Sequence, residues 1–472
     1  MSGSDRRDEI ITAKWKTKFD AEESYFGTIE LGDDYRIDLP LLDSEKDIPV
    51  TTTVLWGRTE DLKRCTAVTL PFGEGRSCTH NGESSFGAQG NVLRLMIGRS
   101  YIADPAAAIV SEISFVPRPS GPLHTLHLQE AIFPKRDIAS ITFSESCTAE
   151  RKAFATSTVA FFEPQRGPIF DSEFRAGEIK LRAGIGGSSS REFNASTVRS
   201  HLIFTIRFKT PRDLESALDE TNELCVFLSM LAHQYIYPAD FTVVVAGEEQ
   251  PFRVMCRGFR VPAPVRDNWV GHTLIVPDQS PDKFCQVLAQ WYASNDQALR
   301  SRYLYRYSLE EPNNFSTWRF LAIFQAFESR ISKSNNRLLS EEQFDAAEGA
   351  LRNALPGAPT IEKLIGKLRS SNSEPLPVIL TNELPKIFSS ARIRPDFDIP
   401  EFVRRICLRR NKSSHGGPRL THEPIEPLLI DTLLLNAIHL MIECRELGLE
   451  PGESVSKLMN ALRYQLPLKI AY

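Results

Sequence analysis

No stretch of eighteen consecutive apolar residues occurs in this 472-residue chain, so hydropathy alone leads us to expect no membrane-spanning helix. Cysteine is sparse: eight thiols are scattered as Cys65, Cys78, Cys147, Cys225, Cys256, Cys285, Cys407 and Cys444, with no C-x-x-C pair. That spacing argues against a disulfide framework and fits reduced thiols in a cytosol. Residues 1–18 are polar and lack an apolar core, so no secretory signal is expected. A strong positive charge is also missing. The formal net charge is −4, so any bound nucleic acid must be met by local basic residues rather than a global field. No phosphate-binding G-x-x-x-x-G-K-[ST] loop is present. These absences together lead to the expectation of a soluble, cytoplasmic protein.

What is present is an ordinary globular composition, 42% hydrophobic and 25% charged, on a chain long enough for two or three domains. The first half alternates apolar and polar residues over short runs. Examples are Gly27-Thr28-Ile29-Glu30-Leu31 and Tyr35-Arg36-Ile37-Asp38-Leu39-Pro40, set around the turn signal Gly32-Asp33-Asp34. Further strands are expected at 50–56, 65–70, 91–98, 108–116, 123–129, 138–143, 158–162, 178–182, 201–208, 241–246, 252–259 and 272–276. The Gly- and Ser-rich stretch 184–200 reads as a mobile loop. One helix is expected at 211–235, with Leu214, Leu218, Leu224, Phe227 and Leu231 at helical spacing. Beyond the Pro/Asp/Ser stretch 277–281 the period changes, and helices are expected at 282–307, 315–334, 341–355, 360–368, 376–390, 399–412, 427–447 and 454–464. The fold class is thus a multidomain α and β protein. A β-rich, sandwich- or barrel-like region (1–278) precedes an all-α helical bundle (279–472).

The chemistry concentrates at the end of the helix expected over 399–412. Asp398 is placed to cap its start, Pro400 fits the first turn, and Glu401 stands three residues on as a capping-box partner. Phe402, Ile406 and Arg410 fall on one face, so Arg410 continues an apolar stripe, where a charge is costly unless paired or beside a cleft. Arg404, Arg405, Arg409, Arg410 and Lys412 place five basic residues within nine. Arginine grips phosphate through paired hydrogen bonds, and histidine exchanges protons near neutrality. Arg410 with His415 could therefore cleave RNA through its 2′-hydroxyl. On a straight helix His415 would lie roughly 140° around from Arg410, so a helix break after Ser413-Ser414 or a second subunit is needed to bring them together. The plainer alternative is that a basic helix end complements the helix dipole and faces solvent.

The string Arg410-Asn411-Lys412-Ser413-Ser414-His415 resembles the R-N-x-x-x-H signature of HEPN ribonucleases. The helix Phe320-Leu321-Ala322-Ile323-Phe324-Gln325-Ala326-Phe327-Glu328 resembles the first core helix of their ApeA-like antiphage branch, and the β-rich front is similar in character to that branch's N-terminal region. The resemblance implies an antiphage endoribonuclease acting by abortive infection, metal-independent and without a cofactor, whose paired HEPN domains form a composite site in a homo-oligomer. It implies that Arg410 holds and polarises the scissile phosphate, that His415 is the general base or acid, and that Asn411 orients one of them or the 2′-hydroxyl. Arg405, Arg409 and Lys412 would hold RNA phosphates, with tRNA one candidate substrate and a phage-encoded trigger acting on the N-terminal region. Lys-Ser-Ser at 412–414 departs from the bulkier residues of many relatives, which leaves substrate preference open.

Glu328 interrupts the apolar face shared by Leu321, Phe324 and Ile331, and has two readings. It either orients Arg410 or His415, or it forms a structural ion pair elsewhere. Cys65 with Cys78-Thr79-His80 fits no closed zinc spacing. Gly184-Ile185-Gly186-Gly187 reads as flexible, His233 as a capping or core histidine, and His422 and His439 lack partners at metal spacing. The rival functions are a non-catalytic HEPN module for RNA or nucleotide binding or dimerisation and, with less support, a DNA-binding regulator.

Overall fold

A computed structural model describes residues 9–19, 25–31, 36–41, 52–72, 76–80, 83–107, 109–123, 130–134, 168–191, 195–256, 272–310, 316–331, 338–356, 360–372, 374–414, 425–462 and 466–470. The expected strands at 138–143 and 158–162, the turn 32–34, His415 and His422 lie outside these residues. The chain divides into two compact units. The first comprises Met1–Leu228, Ile236–Val270 and Ile275–Cys285, and the second Ser229–Tyr235, Gly271–Leu274 and Gln286–Tyr472.

The first unit is an antiparallel sheet: β1 (Glu9–Lys16), β2 (Tyr25–Leu31), β3 (Arg36–Leu41), β4 (Val54–Thr59), β5 (Arg64–Thr69), β6 (Arg76–His80), β7 (Glu83–Gly98), β8 (Val110–Arg118), β9 (Glu130–Pro134), β10 (Phe170–Phe174), β11 (Ile179–Arg191), β12 (Ala195–Arg212), β13 (Tyr237–Val245) and β14 (Phe252–Cys256). Twelve of these strands form one hydrogen-bonded path, with β6 and β9 paired onto it. Part of that path closes on itself. β7 pairs with β3, then β2, β1, β4 and β5 follow in order, and β5 returns to β7, making a six-stranded barrel.

Strand alternation explains the barrel interior. Ile11, Ala13 and Trp15 from β1, Ile29 from β2, Ile37 and Leu39 from β3, Leu55 from β4, and Cys65 and Ala67 from β5 form one buried cluster. Packing there is tight enough to require glycine: a Cβ at Gly57 would meet Trp15 Cε3 at 2.5 Å. From β7 the path continues through β14, β13, β8, β12, β11 and β10 as an open sheet. Helix α1 (Leu214–Ala232) follows β12, and Phe170, Phe204, Phe227 and Phe284 form a chain of ring contacts with centroids 5.3–6.3 Å apart.

The sequence expectations need three corrections over residues 1–278. The stretch expected as a loop at 184–200 is largely paired strand, with β11 and β12 in continuous register from Ile179↔Phe208 to Arg191↔Ser196. Backbone ladders need no side-chain contribution, so a Gly/Ser run can extend a hairpin nucleated by buried neighbours such as Leu181 and Ile206. Residues 272–276 form no strand; their apolar side chains are buried as irregular chain, with Leu274 N–H donating to Leu231 O at 2.9 Å. Strands β1, β6, β9 and β10 were not anticipated.

In the second unit the described residues form α2 (Pro281–Tyr292), whose first turn belongs to the first unit, α3 (Asp296–Glu310), α4 (Thr317–Arg330), α5 (Glu341–Ala354), α6 (Ile361–Ser371), α7 (Leu376–Ser390), α8 (Ile399–Ser414), α9 (Ile425–Glu446) and α10 (Pro451–Leu462). A small hairpin of β15 (Ile393–Pro395) and β16 (Leu468–Ile470) accompanies them. The single helix expected at 282–307 is two, because Asn295 caps a new start by accepting from Ala298 N–H at 2.9 Å. Helix α9 is the central helix. By length and composition its segment Glu426–Glu446 could cross a membrane, but 83% of its most apolar window is buried inside the protein. That burial suits the core helix of a bundle.

Candidate functional site

Helix α8 carries the motif, and its start is set locally. Asp398 Oδ1 accepts from Glu401 N–H at 2.7 Å, as an N-cap should. Glu401 does not complete a capping box. Its carboxylate instead takes two hydrogen bonds from the exposed Arg404, at 2.8 and 2.9 Å. The inward face of α8 is apolar: Phe402, Val403, Ile406 and Cys407 are buried.

Two of the arginines expected to hold phosphate are engaged within the protein. Asp431, on α9, is fully buried. Arg405 Nε donates to both of its carboxylate oxygens at 3.0 Å and Nη2 donates at 2.6 Å, while Arg409 Nη1 donates to Oδ2. Arg409 is only 4% exposed and lies over the Phe320 ring at 5.6 Å. The Arg409 guanidinium thus faces the bundle and not solvent. Arg405 remains partly exposed but shares the same carboxylate. One acid between two guanidiniums, at i and i+4 on α8, locks that face of α8 onto α9, and the second of them, Arg409, immediately precedes Arg410.

Arg410 is placed differently. Its side chain is 35% exposed, and Nη2 lies 3.6 Å from Glu328 Oε2 on α4, whose side chain is 12% exposed. That separation is an ion pair rather than a tight hydrogen bond. Arg410 Nη1 also donates to the exposed Asn411 Oδ1 at 3.2 Å. Both charges act on Cys407 beside them. Burial pushes its thiol up to about 11, Glu328 reinforces the rise, and Arg410 opposes it. Lys412 is exposed. Helix α8 continues through Ser414, four residues beyond Arg410, so no break separates them; His415 follows outside the described residues.

The structure also shows a row of buried polar residues of which sequence reasoning had weighed only His439. Thr432, Asn436, His439 and Glu443 recur along α9 at helical spacing, and all are buried. Glu443 joins two helices: Arg302 Nε from α3 lies 2.7 Å from Oε2, and Arg330 Nε from α4 lies 2.9 Å from Oε1. Arg302 also packs over the Trp291 ring at 3.9 Å. His439 stacks on Tyr305 with centroids 4.9 Å apart. Burial first, then Arg330 and Arg302, bring its pKa down to about 3, so it stays neutral. Similarly, burial holds His233 at about 3, with His272 and Lys457 adding to the shift. The available signal was a polar residue every third or fourth position in an otherwise apolar helix.

No group of three or more His, Cys, Asp or Glu side chains among the described residues is arranged to hold a metal ion. The side chains of Cys78 and His80 lie outside the described residues. Of the described cysteines, Cys65, Cys225, Cys256, Cys285, Cys407 and Cys444 are free thiols. Comparison with protein-family models, curated proteins and solved structures found no match to this chain.

Proposed function

We propose that this protein is an antiphage effector whose helical unit is a HEPN-type endoribonuclease, with Arg410, Asn411 and His415 as its working residues. The observation that supports the reading best is the pairing of Arg410 with Glu328. Arg410 is the arginine of the motif, and Glu328 is the carboxylate that interrupts the apolar face of α4. A carboxylate 3.6 Å away fixes the guanidinium without saturating it, and its partial exposure leaves donors for a phosphate. Arg410 would stabilise charge on the scissile phosphate, His415 would move the proton of the 2′-hydroxyl or of the leaving 5′-oxygen, and Asn411 would orient one of them. Such chemistry needs no metal ion and spares DNA, which lacks the 2′-hydroxyl.

The resemblance of the segment Arg410 to His415 to the signature of paired HEPN domains implies a site completed by a second copy of the chain. A homodimer or higher homo-oligomer is therefore part of the proposal. The N-terminal unit would sense an infection signal, such as a phage-encoded trigger, and restrain the nuclease until then. The second reading, a non-catalytic module for RNA or nucleotide binding or dimerisation, draws on the engagement of Arg405 and Arg409 by Asp431, which reduces the basic groups facing solvent.

Phage challenge of cells expressing wild type, Arg410→Ala or His415→Ala separates the two. The nuclease reading expects protection from wild type and its loss in both variants at equal protein level. Full protection by both variants would contradict it.

A further inference from the structure

The barrel of the first unit carries a row of cations that, among the described residues, makes no ion pair with a carboxylate. Inward positions on β1, β4 and β5 are apolar, so alternation sends Lys14, Arg58 and Arg64 outward, and all three are exposed. Register then aligns them: Lys14 is opposite Arg58, and Arg58 is opposite Arg64. Directly opposed side chains on antiparallel strands stand about 5 Å apart, and like charges there destabilise the pair. None of the three makes an ion pair with a carboxylate among the described residues. In the nearby β4–β5 turn, Asp61 is taken by Lys63 at 2.7 Å.

Aromatic rings adjoin this row. Trp56, one outward position along β4 from Arg58, is pinned by Nε1–H donating to Ile102 O at 2.8 Å. Phe19, 49% exposed, stands edge-on to Trp56 at 5.8 Å and to Tyr101 at 6.2 Å. Arg64 lies over the Tyr101 ring at 5.2 Å, which ties the basic row to the aromatic cluster.

We propose that the outer face of β1, β4 and β5 binds single-stranded nucleic acid, with Lys14, Arg58 and Arg64 on successive phosphates and Phe19 stacking an unpaired base. Three aligned cations suit a polyanion, and a half-exposed ring held by two others offers a base a fixed platform at low entropic cost. A duplex would meet the row but present no free base to Phe19. The inference uses no residue of the helical unit and stands whether or not that unit cleaves RNA.

The test is fluorescence anisotropy of full-length Arg410→Ala protein with oligouridine and oligothymidine of about 12 nucleotides, a duplex of equal length, heparin and anionic phospholipid vesicles. Single strands should bind more tightly than duplex. Lys14→Glu with Arg58→Glu should weaken single-strand binding at least tenfold and flatten its salt dependence by about 1.4 in log–log slope. Phe19→Ala should weaken it about tenfold while leaving heparin binding unchanged. Because the reversed charges relieve the opposed row, melting should not fall; Arg58→Gln, with a smaller loss expected, covers the case in which it does. Wild-type affinity in the charge-reversed and Phe19→Ala proteins would overturn the proposal. So would equal binding of single strand, duplex, heparin and vesicles, which would mark a generic anionic surface.

Discussion

In the helical unit, Arg302, Arg330, Arg405 and Arg409 each reach a carboxylate that is itself buried, either Glu443 or Asp431. On the barrel, Lys14, Arg58 and Arg64 stand in one exposed row without such a partner among the described residues. Burial accounts for the difference. A charge removed from water must be compensated where it sits, so the helical arginines report on architecture. A charge left in water can remain uncompensated at modest cost, so the barrel row is free to meet a ligand. Arg410 lies between these cases, partly exposed and loosely paired, which is the condition expected of a group that must bind and release phosphate.

The largest effect that sharpens this comparison is expected at Asp431. Asp431→Asn leaves two guanidiniums facing a neutral amide in a buried site and should cost about 3–5 kcal/mol in urea unfolding. A loss below about 1 kcal/mol would mean that the clamp is not what fixes α8.

Acid should expose the buried network next. His439 is neutral when folded, with a pKa near 3, whereas in the unfolded chain it takes a proton near 6.5. Its contribution is therefore complete above pH 6.5 and is lost as pH falls from 6.5 toward 3. At pH 5 the loss should be about 2 kcal/mol, and His439→Gln should remove that share of the slope between pH 7 and 5. An unchanged slope would place the histidine in contact with water or an acid.

The barrel row should respond in the opposite direction and more weakly. Arg58→Glu places an acid between Lys14 and Arg64, and should raise stability by about 0.2–1 kcal/mol at low salt, fading as salt rises. Destabilisation would show that Arg58 is compensated after all.

How much of this was legible in the sequence depended on how local the cause was. Helix α7 runs over the expected residues, and Asp398 caps α8 because the signals act within one turn. Barrel closure was not legible, because it rests on β1 pairing β4 and β5 pairing β7, and no residue spacing encodes those partners. The same holds for Asp431, whose partners Arg405 and Arg409 are 26 and 22 residues away. Periodicity ran straight through the break between α2 and α3, where only the capping side chain of Asn295 marks a new helix. At the site, Arg410 and Glu328 were each visible as charges on apolar faces. Their meeting, and the withdrawal of Arg409 from solvent, required the fold.

The central claim is that Arg410 acts on RNA, and it is tested most directly by incubating structured RNA with purified full-length protein in EDTA. Wild type, Arg410→Ala, Glu328→Gln and Lys386→Ala would be compared, with product ends examined for cyclic phosphate. Lys386 forms an exposed pair with Glu383 on α7 and serves as the control. The account predicts cyclic-phosphate products from wild type and Lys386→Ala, at least a hundredfold slower cleavage by Arg410→Ala, equivalent to about 2.7 kcal/mol, and an intermediate loss for Glu328→Gln. Cleavage by Arg410→Ala at the wild-type rate would contradict it.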